Sequence, residues 1–267
     1  MTAAAVATAL PWRDRWLVAW MRRARRGSAR LAHFLGRQHS VLARTTHGTL
    51  FALQPFSYID RTVIRSGYYE SEVLAALRPH LGPGAVLWDI GAHFGLHGIT
   101  AKFLSSETTV VGFEPAPGSH RRLVQNTRLN RVDLVLSSLA LSDFPGVAPL
   151  HLALEGNSGM TTLSPWSGAA YTGTVPVATA RGDDLIARGA LPSPTVVKID
   201  VEGHELAALT GLANTLASAS CRTVVFEDSL DENSPVKLLL RTAGFAIAAL
   251  TRREDTAHAL GNFVAQK

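Results

Sequence analysis

Residues 86–98 read VLWDIGAHFGLHG, and this stretch decides the fold. A short apolar run suited to a buried strand ends on Asp89. Gly91 and Gly95 follow, and the helical pattern GLHGITAKFL begins at once. Glycines between a strand and a helix let backbone approach a ligand closely, and a helix start offers free N–H groups. In open α/β sheets ligands sit beyond the carboxyl ends of the strands.

Working outward, the alternation continues. TTVVGFEP is a second strand, GSHRRLVQNTRLN a helix with Leu123, Val124 and Leu129 facing inwards, and VDLVLSSLALSD a third strand with its turn. Residues 145–180 interrupt this with GVAPLHLAL, MTTL and TGTVPVAT, short β-pieces expected to form a hairpin excursion over one sheet edge. PTVVKID then resumes as a buried strand. GHELAALTGLANTL follows as a helix with Leu206, Leu209, Leu212 and Leu216 on one stripe. RTVVFED is a strand, SPVKLLLRTAG a helix, and FAIAAL and NFVAQ an antiparallel pair. The pattern predicts an α/β fold with helices on both faces of a largely parallel sheet.

Upstream, residues 41–82 read as a lead-in, with a strand or hairpin in GTLFALQP and a helix in SGYYESEVLAALRPHLGPG. Residues 1–40 form a separate basic arm. Trp12, Trp16 and Trp20 recur every four residues with Leu17 alongside, the pattern of an amphipathic helix. Eight arginines against Asp14 give this arm a charge of +7, which leaves −2 for the rest of a chain whose total is +5. The high isoelectric point thus belongs to the arm, and a nucleic-acid partner is not expected. The arm either packs on the domain or touches an anionic membrane surface weakly. One cysteine, Cys221, excludes an internal disulfide framework and a multi-cysteine zinc site. A long apolar span and a cleavable leader are absent from the pattern, so a cytoplasmic chain is expected, peripheral at the inner membrane face if the arm binds there.

Four signals carry chemistry. The first is the turn itself, with Asp89, Gly91, Ala92, His93 and Gly95 as candidate ligand contacts. The second is Glu114, 23 positions after Gly91, placed at a strand end to accept hydrogen bonds from both hydroxyls of a ribose. The dinucleotide fingerprint wants its central glycine where His93 stands, and Asp89 would repel a diphosphate. Asp89 instead suits the ammonium of a methionine moiety, so S-adenosylmethionine is favoured over a nicotinamide cofactor. The third signal is VVKIDVEGHE, which brings Lys198, Asp200, Glu202 and His204 to the same edge, and the fourth is VVFED, with Glu227 and Asp228. Asp200 and His204 are candidate bases, with Asp200 preferred on its rigid strand and Lys198 completing the catalytic set. His97 is a further candidate, in the first turn of a helix. A divalent ion such as Mg²⁺ would find hard oxygen ligands in Asp200 with Glu227 or Asp228.

The ordered blocks GYYESEV, DIGAHFG, GFEPAPGSHRRLVQNTRLN, ALSD, NSGMTTL, KIDVEGHE and FED resemble the FkbM family of methyltransferases from about Gly67 to the C-terminus. The resemblance implies a class I methyltransferase fold of Rossmann-like type. Its sheet would be mostly parallel and seven-stranded, the last strand antiparallel, spanning residues 83–267. It also implies S-adenosylmethionine as donor, and O-methylation of a hydroxylated small molecule such as a sugar or another secondary metabolite, in a bacterial enzyme. Carried over residue by residue, its motifs fall on Asp89, Gly91, Gly95, Glu114, Asn126, Asn130, Asp143, Lys198, Asp200, Glu202 and Gly203, and the first block adds Glu70 as a cofactor contact. His93 stands where the family commonly has a small polar residue, and TARGDDL where it has a TLDDL-like run. Asn157, Gly159 and Met160 match the family's block in the excursion, the segment expected to meet the acceptor.

Two other readings stay open. A nicotinamide-dependent oxidoreductase explains the fold and Glu114 but not Asp89, and none of Tyr58, Tyr68, Tyr69 and Tyr171 has a lysine four residues on. A non-catalytic adaptor held at a surface by the arm is the other. Nucleobase methylation is disfavoured: KID stands where an Asn/Asp-Pro-Pro-Tyr motif would end the strand, and Cys221 follows Ser220 rather than a proline.

Overall fold

The computed structural model describes residues 10–23, 40–251 and 260–267. The arm's remainder, residues 1–9 and 24–39, lies outside them. The first elements are helix α1 (Trp12–Arg23), strands β1 (Val41–Arg44) and β2 (Leu50–Leu53), and helices α2 (Tyr58–Ser66) and α3 (Ser71–Leu77). The alternating core comprises β3 (Val86–Ile90), α4 (Leu96–Leu104), β4 (Thr109–Phe113), α5 (Pro117–Asn130) and β5 (Val135–Ser137). The excursion contributes β6 (Ala140–Leu141), β7 (Gly146–Ala153) and β8 (Tyr171–Ala180). Then come α6 (Gly182–Ala187), β9 (Val196–Ile199), α7 (Glu205–Thr210), α8 (Ala213–Ala217), β10 (Thr223–Ser229), α9 (Pro235–Thr242), β11 (Ala246–Ala249) and β12 (Leu260–Gln266).

Seven strands form the main sheet in the order β11-β12-β10-β9-β3-β4-β5. Pairs β10·β9, β9·β3, β3·β4 and β4·β5 are parallel, and only β12 runs antiparallel to its neighbours. The largely parallel sheet with an antiparallel last strand is therefore observed. Strand side chains alternate between faces. Trp88 and Ile90 pack with Leu209, Leu212 and Leu216 on one face, while Leu87 packs with Val73, Leu77 and Ala101 on the other. Helices cover both faces, which explains why these strands read as continuous apolar runs.

The excursion is an antiparallel hairpin, β7 against β8, with β6 parallel to β8. Instead of forming a strand, MTTL enters from a short 3₁₀ turn at Ser158–Met160 and touches β7 through a single bridge, His151 to Thr162.

Four further element-level expectations change. The helix after KID breaks into α7 and α8 at Gly211, a position packed so closely that a Cβ would lie 2.0 Å from the Ser142 carbonyl oxygen. Leu206 is exposed while Leu209, Leu212 and Leu216 are buried. Helix α5 turns a polar face inward: Leu123 is buried, but Arg122, Asn126 and Asn130 share its buried side, and Val124 and Leu129 are half-buried. Asn126 bonds the Ala52 N–H and the Phe94 carbonyl, and Asn130 bonds both polar backbone groups of Leu50. These two asparagines stitch β2 to the core. Helix α2 was absent from the sequence reading. In α1 Val18 and Met21 form the packed face with half-buried Leu17 and Trp20 beside them, while Trp12 and Trp16 stay outside it. No helix among the described residues is long and apolar enough to cross a membrane.

Candidate active site

Adjacent strands β4, β3, β9 and β10 deliver Glu114, Gly91, Asp200 and Glu227 to one edge of the sheet, each a strand spacing from the next. They face a cavity of about 490 Å³. Its other walls come from Ile59 and Glu70 of the lead-in, from Ser158, Met160 and Trp166 of the excursion, and from Glu202 and His204 after β9.

The turn after β3 is built by close packing. Gly91 has φ +77°, and a Cβ there would lie 1.9 Å from the Asp200 carbonyl oxygen. Its N–H and that of Ala92 both point to the Phe113 carbonyl, at 3.0 and 2.9 Å. Gly95 starts α4 at φ +94°, where a Cβ would strike Ile99 and Leu123. His93 adopts φ +52° and faces the cavity, with Nε2 2.9 Å from Ser158 Oγ, which ties the turn to the excursion. Burial pushes His93 down to about 3, so its ring is neutral. Ala92 and Gly95 do not reach the cavity.

Glu114 is buried and lines the cavity. Its two carboxylate oxygens accept from the His93 and Ala116 N–H groups, each at 2.8 Å. Burial pushes the acid up to about 7, with the two N–H groups and the Lys198 charge opposing. Each oxygen keeps an unused lone pair, enough to receive a pair of ribose hydroxyls.

Asp89 and Lys198 differ from the sequence expectation. They are cross-strand neighbours in the β3·β9 register, 3.4 Å apart, and both are buried. Asp89 Oδ2 also accepts the Gly98 N–H at 2.9 Å. Lys198 Nζ donates to the Gly91 carbonyl at 3.0 Å and stands 3.8 Å from Asp200. Neither lines the cavity, so the charge that Asp89 meets is Lys198. Burial alone would lower the ammonium of Lys198, but Asp89, Asp200 and Glu70 outweigh it and hold it above its ordinary value. A cation kept protonated and spent on three oxygens organises the floor and is unsuited to removing a proton.

Asp200 turns a third of its side-chain surface outward, into the cavity. Enclosure raises its carboxyl, with Glu70 adding to the effect and Lys198 opposing it. Glu202 is pushed up to about 9 by burial and by the charges of Asp200 and Glu227. One carboxylate oxygen from each of Asp200, Glu202 and Glu227 lies within 4.8 Å of the others. Asp228 stands apart from this cluster: it accepts from Ser234 Oγ and pairs with the buried Lys237 at 3.5 Å. Glu202 takes the place in the acid triad that the sequence reading gave to Asp228.

His204 lines the cavity with both ring nitrogens occupied, Nδ1 2.9 Å from Ser164 Oγ and Nε2 3.1 Å from Ser142 Oγ. Burial lowers it, against the pull of Asp143. Asp143 itself is exposed outside the cavity, and its carboxylate accepts from Ser142. His97 is buried behind the wall, 3.8 Å from Glu70 and 3.5 Å from the Tyr68 hydroxyl, so it supports Glu70 rather than facing a substrate. Glu205 was missed in sequence. Its carboxylate accepts the Val201 and Gly203 N–H groups at 2.9 and 3.0 Å and fixes the loop that carries Glu202. An acid one residue into a helix after glycine was the available signal. Trp166 left no signal, since a tryptophan in a loop has no period.

The chain matches the methyltransferase FkbM domain family over residues 89–247. It is 33% identical over 214 residues to a hexuronic acid methyltransferase of Haloferax volcanii, covering 77% of this chain and 82% of that protein. Among solved structures, a precorrin-6Y C5,15-methyltransferase of Geobacter metallireducens aligns with 16% identity and a TM-score of 0.45 over 74% of this chain and 87% of that one. A tRNA (uracil-54, C5)-methyltransferase of Pyrococcus abyssi, solved with S-adenosylhomocysteine, aligns with 12% identity and a TM-score of 0.46 over 86% of this chain and 44% of that one. The strand order, the glycine turn with its following acid and the family match converge: this chain is a methyltransferase and belongs to the FkbM family.

Proposed function

We propose that the chain transfers a methyl group from S-adenosylmethionine to a hydroxyl of a sugar-type acceptor, with Asp200 as the base. One observation carries the reading: a single cavity holds a ribose-competent acid, Glu114, at one end and Asp200, Glu202 and Glu227 at the other. The residues fit the donor, because Glu114 keeps lone pairs for two hydroxyls and the walls beside it, Phe113, Leu139 and Ala140, are apolar as an adenine requires. S-adenosylmethionine supplies an electrophilic methyl on a sulfonium.

This chain's residues do the rest. Glu114 orients the ribose, and the turn closed by the Lys198 to Gly91 bond gives the donor end a fixed backbone. Asp200 accepts the proton of the acceptor hydroxyl, which is too weak a nucleophile without a base. Glu202, protonated near neutrality, donates a hydrogen bond rather than a negative charge. Excursion residues are bonded to the loop after β9, Thr162 Oγ1 to the Glu202 carbonyl at 2.8 Å and Ser164 to His204, so the excursion supports acceptor recognition. The hexuronic acid in the name of the Haloferax relative points to a sugar class. Such a sugar presents hydroxyls and a carboxylate, and acidic walls favour the hydroxyls.

A divalent ion is the second reading, favoured by the three carboxylates. Asp200, Glu202 and Glu227 would hold it as hard oxygen donors, and it would lower the acceptor hydroxyl's pKa. Full activity in excess EDTA removes this reading.

The test is a transfer assay with methyl-labelled donor and a panel of neutral sugars, uronic acids and hydroxylated metabolites. The expected product carries label in an ether that survives mild alkali. Alkali-labile label means a carboxyl acceptor. Transfer to none of the panel's hydroxyls, with S-adenosylhomocysteine still bound, overturns the sugar-type acceptor.

A further inference from the structure

Helix α1 docks on the domain by one face. Val18 and Met21 are buried against the lead-in, Asp14 accepts the Leu42 N–H at 3.1 Å, and Arg22 Nε donates to the Ile64 carbonyl at 3.1 Å. At 100° per residue, Trp12, Trp16, Ala19 and Arg23 fall on the opposite side, with Arg13 and Arg15 at its rims. Trp12 is 74% exposed and Trp16 64%. Two indoles held outward by a helix whose packing needs are met elsewhere are not a core stripe, and the docking fixes their direction. The +7 charge of residues 1–40, against −2 for the remainder, puts the chain's positive charge in the segment that carries these indoles.

We propose that the outer face of α1 binds the surface of an anionic lipid bilayer. The helix lies in the headgroup plane, Trp12 and Trp16 enter the interface, and Arg13, Arg15 and Arg23 meet lipid phosphates. Indoles favour that depth because one edge is apolar and the N–H stays hydrated. Arginine charge adds attraction that falls within a Debye length. A nucleic-acid partner is disfavoured by the charge of the body and by indoles presented on a rigid helix. The surface is independent of the methyl-transfer reading.

The experiment uses the full chain with vesicles of phosphatidylcholine, alone or with about 30% phosphatidylglycerol, read by sedimentation and tryptophan emission. Expected are binding at least about tenfold tighter to the anionic vesicles, a blue shift on binding, and release at about 0.5 M salt. Trp12→Ala with Trp16→Ala should weaken vesicle binding about tenfold while thermal unfolding and S-adenosylhomocysteine binding are unchanged. Equal affinity for both vesicle types, or undiminished binding of the double variant, overturns the proposal. So does a dimer in light scattering that the double variant abolishes while vesicles stay unbound, which would make this face an interface between copies. Preferential binding of a nucleic-acid fragment through the same tryptophans also overturns it.

Discussion

Asp200 and Glu202 are two residues apart and are assigned opposite protonation states, and that contrast is testable side by side. Asp200→Asn removes the proposed proton acceptor and is expected to lower kcat by about 10²- to 10⁴-fold while leaving donor affinity within about threefold. Glu202→Gln keeps a neutral hydrogen-bonding group and is expected to retain activity within about threefold at neutral pH. Isothermal titration with S-adenosylhomocysteine and initial rates read both. Glu114 predicts the pH dependence of donor binding, because only its ionised form accepts from both ribose hydroxyls. With the acid pushed up to about 7, affinity should rise about tenfold per pH unit from below pH 6 and level off about a unit above 7. For stability the sign is reversed. The folded acid binds its proton more tightly than the unfolded one, whose value is 4.5. Its contribution is full below pH 4.5 and lost as pH rises through about 7. A flat binding profile between pH 5 and 8 would remove Glu114 from ribose recognition.

At the scale of elements, the turn between β3 and α4 is held by contact between two strands' ends. Gly91→Ala must displace the end of β9, since the added Cβ meets backbone and not a flexible side chain. A loss of about 3 kcal/mol or more is expected in urea unfolding, because strain at φ +77° adds to the clash. A variant as stable as the parent would show that β9 yields freely there. The same contact couples the turn to Asp200, so surviving Gly91→Ala protein should lose activity as well as stability.

For the whole molecule, the lead-in and the sheet domain are joined by buried polar groups. Asp60 of α2 is fully buried and pairs with Arg122 of α5, while the Gln54 N–H and Ser57 Oγ bond the same carboxylate. Arg122→Met strands that charge and should cost about 3–5 kcal/mol. Adding Asp60→Asn should recover at least half of the loss, because the buried charge is then gone. Thermal unfolding of the parent and the two variants decides it; failure of the second substitution to rescue would assign the loss to packing of the arginine stem over Phe94, 4.8 Å from its guanidinium carbon.

The sheet, the glycine turn and the placing of Glu114 and Asp200 at strand ends of one edge were legible in the amino-acid string alone. Each depends on local period or on spacing along one strand–turn–helix unit, and both are visible in a linear string. The inward polar face of α5 was not legible, because Asn126 and Asn130 bond a strand more than seventy residues away. Nor could the string show that Lys198 claims Asp89, that Asp228 turns towards Lys237, or that Glu202 joins Asp200 and Glu227. These are choices between carboxylates of the same type at neighbouring positions. Only the cross-strand register and the path of the loop after β9 bring one of them within reach of a given cation and carry the other away.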